Sequence, residues 1–310
     1  MTIASGSNVQ VAFVAETVQG TTPATPVFQI LPVSTESVIL SRDTLESEAL
    51  RADRQIPDVI NGNKQVGGDV AGEVRYGAFD DFLEAALGGT WDTDQPITGT
   101  DQLKAGVLRR FFTLERFHAD NGDYFRNTGI EMSGFTLDRA ANALTTLSFN
   151  VLGLAQASDT SAIAGSTYTS AVSTAPMDGF TGTFTINSLT DACITTASLT
   201  LDNGNEALFC IGSDTALDQA QGKSRVTGSL SIYFENLTTY NEFNAGTYLD
   251  LEIAMTDGAG NEYKFILPKF KYTSADTSVP GSEPLIFTYD IAAVLDTVTG
   301  SNLIIERTPV

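Results

Sequence analysis

The sequence predicts a mainly β protein in which one fold occurs twice, each copy carrying one short flanking α-helix. Residues 66–76 alternate apolar and polar side chains, the period of a strand with one buried and one wet face. Residues 79–87 then change to helical spacing. The same change from strand to helix recurs at residues 226–246. Together these observations predict two copies of a β-sandwich or barrel.

In the first copy, the strand and its helix are defined by side-chain period and by end signals. The apolar face of the strand comprises Val66, Gly68, Val70, Gly72, Val74 and Tyr76. The apolar stripe of the helix comprises Phe79, Phe82, Leu83, Ala86 and Leu87. Asp80 and Asp81 fall in the first turn, where the helix dipole favours anions, and Gly88 is placed to end the helix.

The second copy has the same plan with a weaker helix. Its apolar strand face comprises Val226, Gly228, Leu230, Ile232 and Phe234. Asn236 is a good N-cap for a short helix, and Gly246 is placed to end it. The apolar stripe between them comprises Leu237, Tyr240 and Phe243.

The flanking segments extend the match between the two copies. The corresponding pairs are residues 27–30 and 183–186, 37–40 and 197–201, 113–118 and 249–256, the turns 120–123 and 257–261, and 144–152 and 285–294. Two unrelated β domains could share generic strand patterns. The strand-to-helix change at the same place in both copies favours a duplication.

The domain organisation follows from this match and from one compositional shift. Residues 1–155 form the first predicted domain, with an N-terminal arm containing a strand over residues 9–14. Residues 156–176, rich in Ser, Thr and Ala, are the predicted linker. Residues 177–310 form the second predicted domain, and its C-terminal arm holds the apolar run of residues 303–305.

Residues 41–65 are predicted to form a long loop between two strands. The segment carries both signs of charge, and its counterpart, residues 202–225, is similar in length but less charged. Loops of this length in a folded domain are either partner surfaces or disordered. Both interpretations stay open for this segment.

Composition narrows the function classes. The net charge of −21 excludes nucleic-acid binding by neutralisation of phosphates, although such a charge often serves solubility alone. No apolar run is long enough to span a bilayer, and no secretory signal is recognisable, which predicts synthesis in a cytoplasm. Cys193 and Cys210 have no metal-ligand spacing, and we expect them to be partly buried and unpaired.

Catalytic and metal-binding motifs are not recognisable. His118 is the only histidine and lies beside a predicted turn, where a surface role is far more common than a basic one. The turns at residues 120–123 and 257–261 contain carboxylates that could suggest calcium, but they lack the other ligands of a calcium loop. Asn-Gly and Asp-Gly are strong hairpin signals, so we expect both turns to be hairpins and not metal sites. Because no motif is recognisable, we also expect no catalytic residues and no cofactor.

Four stretches resemble the tail tube proteins of long-tailed, non-contractile bacteriophages. They are residues 48–56 (EALRADRQI), 67–70 (GGDV), 73–76 (EVRY) and 82–91 (FLEAALGGTW). The second copy agrees through residues 226–230 (VTGSL) and 260–263 (GNEY), followed by Leu267 and Pro268. The resemblance covers nearly the whole chain, and its motifs are structural.

The resemblance implies a tail-tube-type β-sandwich whose subunits form rings with a shared inner barrel, stacked into the channel for genome ejection. Most members have one such domain and form hexamers, so two copies per chain predict a homotrimeric, pseudo-hexameric ring. The implied partners are the chain itself, a tape-measure protein and other tail proteins, while DNA passes without specific binding and no membrane is involved. The implied location is the virion tail, assembled in the bacterial cytoplasm.

Two other functions stay open at this point. One is another tail component on the same fold, such as a terminator, neck or baseplate tube piece. The other is a β-sandwich module that binds a receptor or glycan. That second function needs an aromatic pocket, whereas the only tryptophan, Trp91, lies just past a predicted helix end, where we expect it to pack.

Two sets of residues are expected to form the assembly surfaces. The expected ring-stacking residues in the loop of residues 41–65 are Arg51, Asp53, Arg54 and Gln55, although a solvated loop is an equal alternative. The expected channel lining, on the polar faces of the two repeated strands, comprises Asp69, Glu73, Arg75, Ser229, Ser231 and Glu235.

Overall fold

A computed structural model describes residues 4–187, 193–278, 281–282 and 284–310, and these form a mainly β protein. Two short helices lie in this part of the chain, α1 (Asp80–Leu87) and α2 (Thr238–Ala245). The strands of the first half are β1 (Val9–Glu16), β2 (Val27–Ile30), β3 (Val33–Glu36), β4 (Ile39–Glu46), β5 (Val59–Glu73), β6 (Asp101–Lys104), β7 (Phe111–His118), β8 (Asp123–Ala140) and β9 (Thr146–Gly153). The remaining strands are β10 (Ala155–Asp159), β11 (Thr167–Thr169), β12 (Phe184–Ile186), β13 (Ile194–Asp202), β14 (Glu206–Leu208), β15 (Asp218–Ala220), β16 (Arg225–Tyr233), β17 (Leu249–Thr256), β18 (Glu262–Asp276), β19 (Ile286–Ala293) and β20 (Ile304–Thr308).

Two long strands, β8 and β18, connect the layers of the β-sandwich. Through its first part β8 pairs with β7 and β10, and through its second part with β9 and β13. In the same way β18 pairs first with β17 and β20 and then with β19. One layer therefore runs in the order β4, β5, β9, β8, β13, β16, β19, β18 across both halves of the chain.

The core fills the space between the layers and joins the two halves. Phe82 of α1 contacts the rings of Phe13, Phe112 and Phe149 at centroid distances of 4.8, 5.3 and 5.4 Å. Phe149 in turn lies 6.0 Å from Phe135 on β8. Buried apolar area is the main stabilising contribution to such a sandwich, and here one cluster spans both halves.

The predicted helix ends are confirmed for α1 and are shifted slightly for α2. Asp80 and Asp81 occupy the first turn of α1, and Gly88 ends it in the left-handed conformation. Helix α2 begins at Thr238, one residue later than an Asn236 cap implies, but the Asn236 side chain still accepts the Thr238 N–H at 2.8 Å. Gly246 ends α2 in the left-handed conformation as predicted.

The strand registers of the two halves match, and we call residues equivalent when they share a register position. Gly68 pairs with Val151, and Gly228 pairs with Ile291. A register shift follows Met132 where β8 pairs with β9, and another follows Tyr272 where β18 pairs with β19. By this criterion Gly68 is equivalent to Gly228, and Met132 is equivalent to Tyr272.

The two equivalent glycines are needed for the same close approach of backbones. A Cβ at Gly68 would collide with the carbonyl oxygen of Ser37, and a Cβ at Gly228 would lie 2.5 Å from the carbonyl oxygen of Ser198. Gly68 also has φ of 150°, which side chains rarely adopt. Both repeated strands therefore approach the backbone of the preceding segment so closely at this point that only a glycine fits without a shift.

The predicted loop of residues 41–65 is in part wrong, because its two ends are strands. Residues 41–46 continue β4, residues 59–65 continue β5, and the two pair as a hairpin with Leu45 opposite Ile60. Only residues 47–58 form the connecting loop. All residues from 39 to 61 are exposed, so the hairpin extends from the body of the protein.

The predicted linker of residues 156–176 contributes two strands to the first half. Strand β10 pairs with β8, and β11 pairs in parallel with β2. Tyr168 on β11 donates its hydroxyl to Glu115 at 2.6 Å, and burial and that carboxylate raise the pKa of Tyr168 to about 12. The division into domains 1–155 and 177–310 stays a prediction.

Two other expectations differ from the structure. The predicted match of residues 27–30 with 183–186 is displaced, because β12 pairs directly with β17 whereas β1 separates β2 from β7. The predicted C-terminal arm contains a strand in the body of the protein, since β20 pairs with β18 of the second half and β6 of the first. Both differences come from strands whose partners are distant in sequence.

Candidate assembly interface

The junction between the halves is a pair of antiparallel strands, β8 and β13. Phe135 pairs with Leu201, Leu137 with Leu199, and Gly134 with Asp202 at the end of the ladder. The apolar members of this junction are buried, and Thr136 and Thr200 exchange a hydrogen bond of 3.1 Å on the opposite, polar face. At this junction the sheet of the second half therefore continues the sheet of the first half within one chain.

The two ends of the continuous layer are open in the described part of the chain. Strand β4 pairs with β5 on one side only, and residues 274–276 of β18 pair with β19 on one side only. Leu40 on β4 is equivalent to Leu201 and is 38% exposed, whereas Leu201 is 3% exposed at the internal junction. Unpaired edges of this kind invite pairing with another chain.

The hairpin of residues 41–65 carries the predicted ring-stacking residues on its connecting loop. Arg51 and Asp53 form an exposed ion pair of 2.7 Å, and the arginine lowers the pKa of the Asp53 carboxyl. Arg54 adopts a positive φ of 61°, and Gln55 donates its N–H to Asp53 at 3.3 Å. The structure places all four residues together at the end of the hairpin.

The base of the hairpin is tied to the second half of the same chain. Asp214 accepts ion pairs from Lys64 at 2.7 Å and from Arg42 at 3.3 Å. The hydrogen bond from the Lys64 side chain is the main cause of a lowered pKa at Asp214. These contacts fix the direction in which the hairpin leaves the body.

The predicted lining residues lie mainly on one polar face of the continuous layer. On β5, Asp69 is exposed and accepts a hydrogen bond of 3.2 Å from Asn150, and Glu73 pairs with Arg75 at 2.7 Å. On β16, Ser231 hydrogen-bonds Thr288 at 3.0 Å. Ser229 lies opposite Ser198 and Asp290, and Glu235 is exposed beyond the end of the strand.

Sequence reasoning missed several acidic and hydroxyl residues of that face. The register joins the polar side chains into a row across the layer: Glu73, Thr146, Asp138, Ser198, Ser229, Asp290 and Ser274. Alternation along each strand is the signal that could have found them, but the order of strands in the layer had to be known first.

The turns and cysteines resolve two further expectations. The Asp257 carboxylate accepts the N–H groups of Ala259, Gly260 and Asn261 at 2.8–2.9 Å, so it caps a hairpin turn as predicted. Cys193 and Cys210 are unpaired thiols, but both are exposed, and the expectation of partial burial is wrong. Cys210 lies beyond the end of β14, outside the packed sheet.

The described residues also bear on metal sites and on membrane spans. No cluster of three or more His, Cys, Asp or Glu side chains is arranged to hold a metal ion within them. Neither of the helices in this part of the chain is long and apolar enough to cross a membrane. Trp91 packs against the Arg307 guanidinium, 4.4 Å from its ring.

The described part of the chain thus has open strand edges, a projecting hairpin and a continuous polar face. The sequence profile of the family described as phage tail tube protein matches residues 6–293. The chain therefore belongs to the phage tail tube protein family and is a structural component of a phage tail. A comparison with curated proteins gave no match.

Proposed function

We propose that this protein is the major tail tube subunit of a long-tailed, non-contractile phage. Subunits close into rings, and the rings stack into the channel through which the genome is ejected. The observation that carries the proposal is the match between the open edges and the internal β8–β13 junction. The same chain already contains the contact that its two edges would make with neighbours.

The internal junction predicts the register between subunits. At that junction Gly134 pairs with Asp202 and Phe135 with Leu201. The equivalent pairs between β18 of one subunit and β4 of the next are Ser274 with Ser41, Ala275 with Leu40, and Asp276 with Ile39. Pairing in this register buries Leu40 as Leu201 is buried and removes the exposed edge.

Ring size follows from the number of equivalent halves. If the step from one half to the next equals a sixth of a turn, three chains close the ring as a homotrimer with pseudo-sixfold symmetry. A head-to-tail contact of this kind either closes or forms a filament, and closure uses every edge. Assembly takes place in the host cytoplasm, around a tape-measure protein and with other tail proteins as partners.

The polar face becomes the channel lining in this arrangement. Its carboxylates include Asp69, Glu73, Asp138 and Asp290, and the chain as a whole carries a net charge of −21. An acidic lining repels the phosphates of passing DNA, but salt screens charges over about 8 Å at physiological ionic strength. The lining therefore prevents adhesion and does not drive transport.

The end of the hairpin contacts the next ring. Arg51, Asp53, Arg54 and Gln55 carry both signs of charge and are exposed in the isolated chain. Charged pairs in this position fix the rotation of one ring on the next more than they add affinity. As a structural component of this kind, the protein needs no enzymatic activity.

Electron microscopy of the purified full-length protein tests the proposal. The expected result is rings with three pairs of lobes, stacking into hollow tubes as protein concentration rises. A protein that stays monomeric at high concentration and in every salt condition would contradict it. Single rings that never stack would instead support a terminator or neck component on the same fold.

A further inference from the structure

Residues 203–222 of the second half are the counterpart of the hairpin in the first half. Where β14 pairs with β15, Leu208 lies opposite Asp218, and in the hairpin Ser47 donates its N–H to the carbonyl oxygen of Asp58. The pairing of β4 with β5 one step earlier has the same register, with Glu46 opposite Val59. Asp218 is therefore equivalent to Asp58.

The local geometry of the two carboxylates agrees with this equivalence. Asp218 accepts the N–H of Gln219 at 2.7 Å, and Asp58 accepts the N–H of Val59 at 2.8 Å. Both carboxylates stand at the start of the returning strand. The two segments differ in what they contact. Residues 203–222 lie across the first half of the chain, whereas residues 41–61 of the hairpin are exposed.

Residues 203–222 lie across the first half and are held there by buried hydrogen bonds. The Gln219 side chain donates to the carbonyl oxygens of Gly129 and Leu152 at 2.9 and 3.0 Å. Asn203 donates to the carbonyl oxygen of Ala86 at 2.7 Å. Buried hydrogen bonds of this type fix one orientation.

Two carboxylates meet at this contact and are neutralised by one arginine. Arg109 donates to Glu131 at 3.0 Å and to Asp218 at 3.1 Å. Gln221 donates to the same Glu131 at 2.6 Å. Without the arginine, the carboxylates of the buried Glu131 and the partly exposed Asp218 would repel each other.

The second half has a different charge at the equivalent positions. Because Met132 is equivalent to Tyr272, Lys271 is equivalent to Glu131. The register of β7 and β17 makes Gly246 equivalent to Arg109, so no arginine stands there. Among the described residues Lys271 makes no ion pair, and its ammonium lies 4.1 Å from the exposed ring of Tyr248.

We infer that the hairpin of one subunit lies across the second half of the next, with Asp58 paired to Lys271. This inference rests on the proposed ring, because ring closure places β4 of one subunit beside β18 of its neighbour. Inside the chain, Arg109 bridges the carboxylates of Glu131 and Asp218. Between chains, the equivalent positions hold Lys271 and Asp58, which form one direct ion pair. Asp58 makes no other ion pair within the described residues, which leaves it available.

The same contact covers an apolar side chain of the hairpin. Val59 is equivalent to Gln219, which is 1% exposed at the internal contact, whereas Val59 is 53% exposed in the isolated chain. Burying such side chains stabilises an interface by about 25 cal/mol for each Å² of apolar surface removed from water. The connecting loop of residues 47–58 then reaches beyond this neighbour to the proposed stacking contact.

Zero-length cross-linking with a carbodiimide tests the pair directly in assembled, full-length protein. The reagent joins a carboxylate and a lysine that touch, and mass spectrometry identifies the peptides. Mixing unlabelled and ¹⁵N-labelled chains before assembly distinguishes bonds between chains from bonds within one. The expected product joins Asp58 to Lys271 with mixed isotopes, and Lys271→Arg, which keeps the charge, abolishes it.

Microscopy of the same samples separates this inference from the proposed function. Rings without the mixed-isotope product overturn the Asp58–Lys271 pair and leave the ring intact. No rings at all overturn the proposed function and the pair together. A product found only within single-isotope chains also overturns the inference.

A charge exchange provides a second measurement. Asp58→Lys and Lys271→Asp should each raise the concentration for half-maximal assembly about tenfold, and the double exchange should restore it. Asp92→Lys, at an exposed carboxylate outside the hairpin, is the matched control and should change it less than twofold. Failure of the double exchange to restore assembly, when both single variants assemble poorly, contradicts a direct pair.

Discussion

Helices α1 and α2 occupy the same place in the two halves, yet only α1 is buried. Five of its eight residues are buried, including Phe82 and Leu83, whereas α2 has no buried residue. Asn203, at the start of the segment of residues 203–222, donates a hydrogen bond to the carbonyl oxygen of Ala86 near the end of α1. An apolar stripe in a sequence therefore indicates which face is to be covered, but the neighbouring segments decide whether it is covered within one chain.

The largest effect that tests this comparison is truncation of the equivalent aromatic residues in the helices. Phe82→Ala should lower the free energy of unfolding by about 4 kcal/mol, since it removes a fully buried ring. Tyr240→Ala should cost about 1 kcal/mol or less in the isolated subunit, because Tyr240 is only partly buried. Urea unfolding of both variants measures the difference, and equal losses would contradict it.

The next effect tests the hydrogen bonds by which the first half holds residues 156–176. Arg126 donates to the buried Glu115 at 2.6 Å and to the carbonyl oxygen of Ser161 at 2.7 Å. Arg126→Met should cost about 3 kcal/mol, because it leaves a buried carboxylate without its cation. Arg51→Met, at the exposed ion pair of the hairpin, is the control.

Denaturant unfolding compares the two variants, with proteolysis near residue 161 as a second readout. Arg51→Met should leave the unfolding midpoint unchanged, because exposed ion pairs contribute little. A larger loss at Arg51 than at Arg126 would show that the hairpin, and not residues 156–176, stabilises the isolated chain.

A smaller effect distinguishes the equivalent glycines. Gly68→Ala should cost about 2 kcal/mol, because a Cβ collides with Ser37 and the positive φ is strained. Gly228→Ala should cost about 1 kcal/mol, since only the close approach opposes it. Gly258→Ala, where a Cβ meets nothing within 4 Å, should be neutral in the same thermal unfolding assay. The reverse order for Gly68 and Gly228 would contradict the shared geometry.

The smallest effect is a pH dependence at the start of the second half. The N–H of Thr181 is the main cause of a lowered pKa at the Asp178 carboxyl, which accepts it at 2.8 Å. The pKa of Asp178 in the folded protein is lower than the unfolded value of 3.8, so the ionised carboxylate contributes to folding stability. That contribution is fully present above pH 3.8 and is lost as pH falls through the folded pKa. Asp178→Asn should therefore be less stable than the natural protein at neutral pH, and the difference should shrink below pH 3.8. A difference that grows in acid would contradict this assignment.

Local patterns predicted much of the fold. Strands β2 and β17 were predicted with the bounds that the structure has, and Gly88 and Gly246 end their helices as expected. These features follow from side-chain period and from the conformational freedom of glycine, both of which act within a few residues. The mainly β class followed from the same signals.

The contacts between halves were not predictable in the same way. The pairing of β8 with β13, the extension of β4 and β5 into a hairpin, and the insertion of β20 beside β6 all depend on partners distant in sequence. The sequence alone did not indicate a role for Lys271, because its charge becomes informative only by comparison with Glu131 at the equivalent position. The roles of Arg51, Asp53, Asp69 and Ser229 stay predictions, since each requires a neighbouring molecule.

Disulfide trapping of the edge register tests the central claim most directly. In a Cys193→Ser, Cys210→Ser background, Ser41→Cys and Ser274→Cys place thiols at two positions that the proposed register pairs between neighbouring subunits. Oxidation should give covalent species that end at a closed ring of about three times the 33.0 kDa of one chain, seen by non-reducing electrophoresis. Ser41→Cys with Thr273→Cys, one residue out of register, should give little product. Trapping in the shifted pair, or no trapping in either while rings are present, would contradict the claim that each subunit repeats its internal junction with its neighbours.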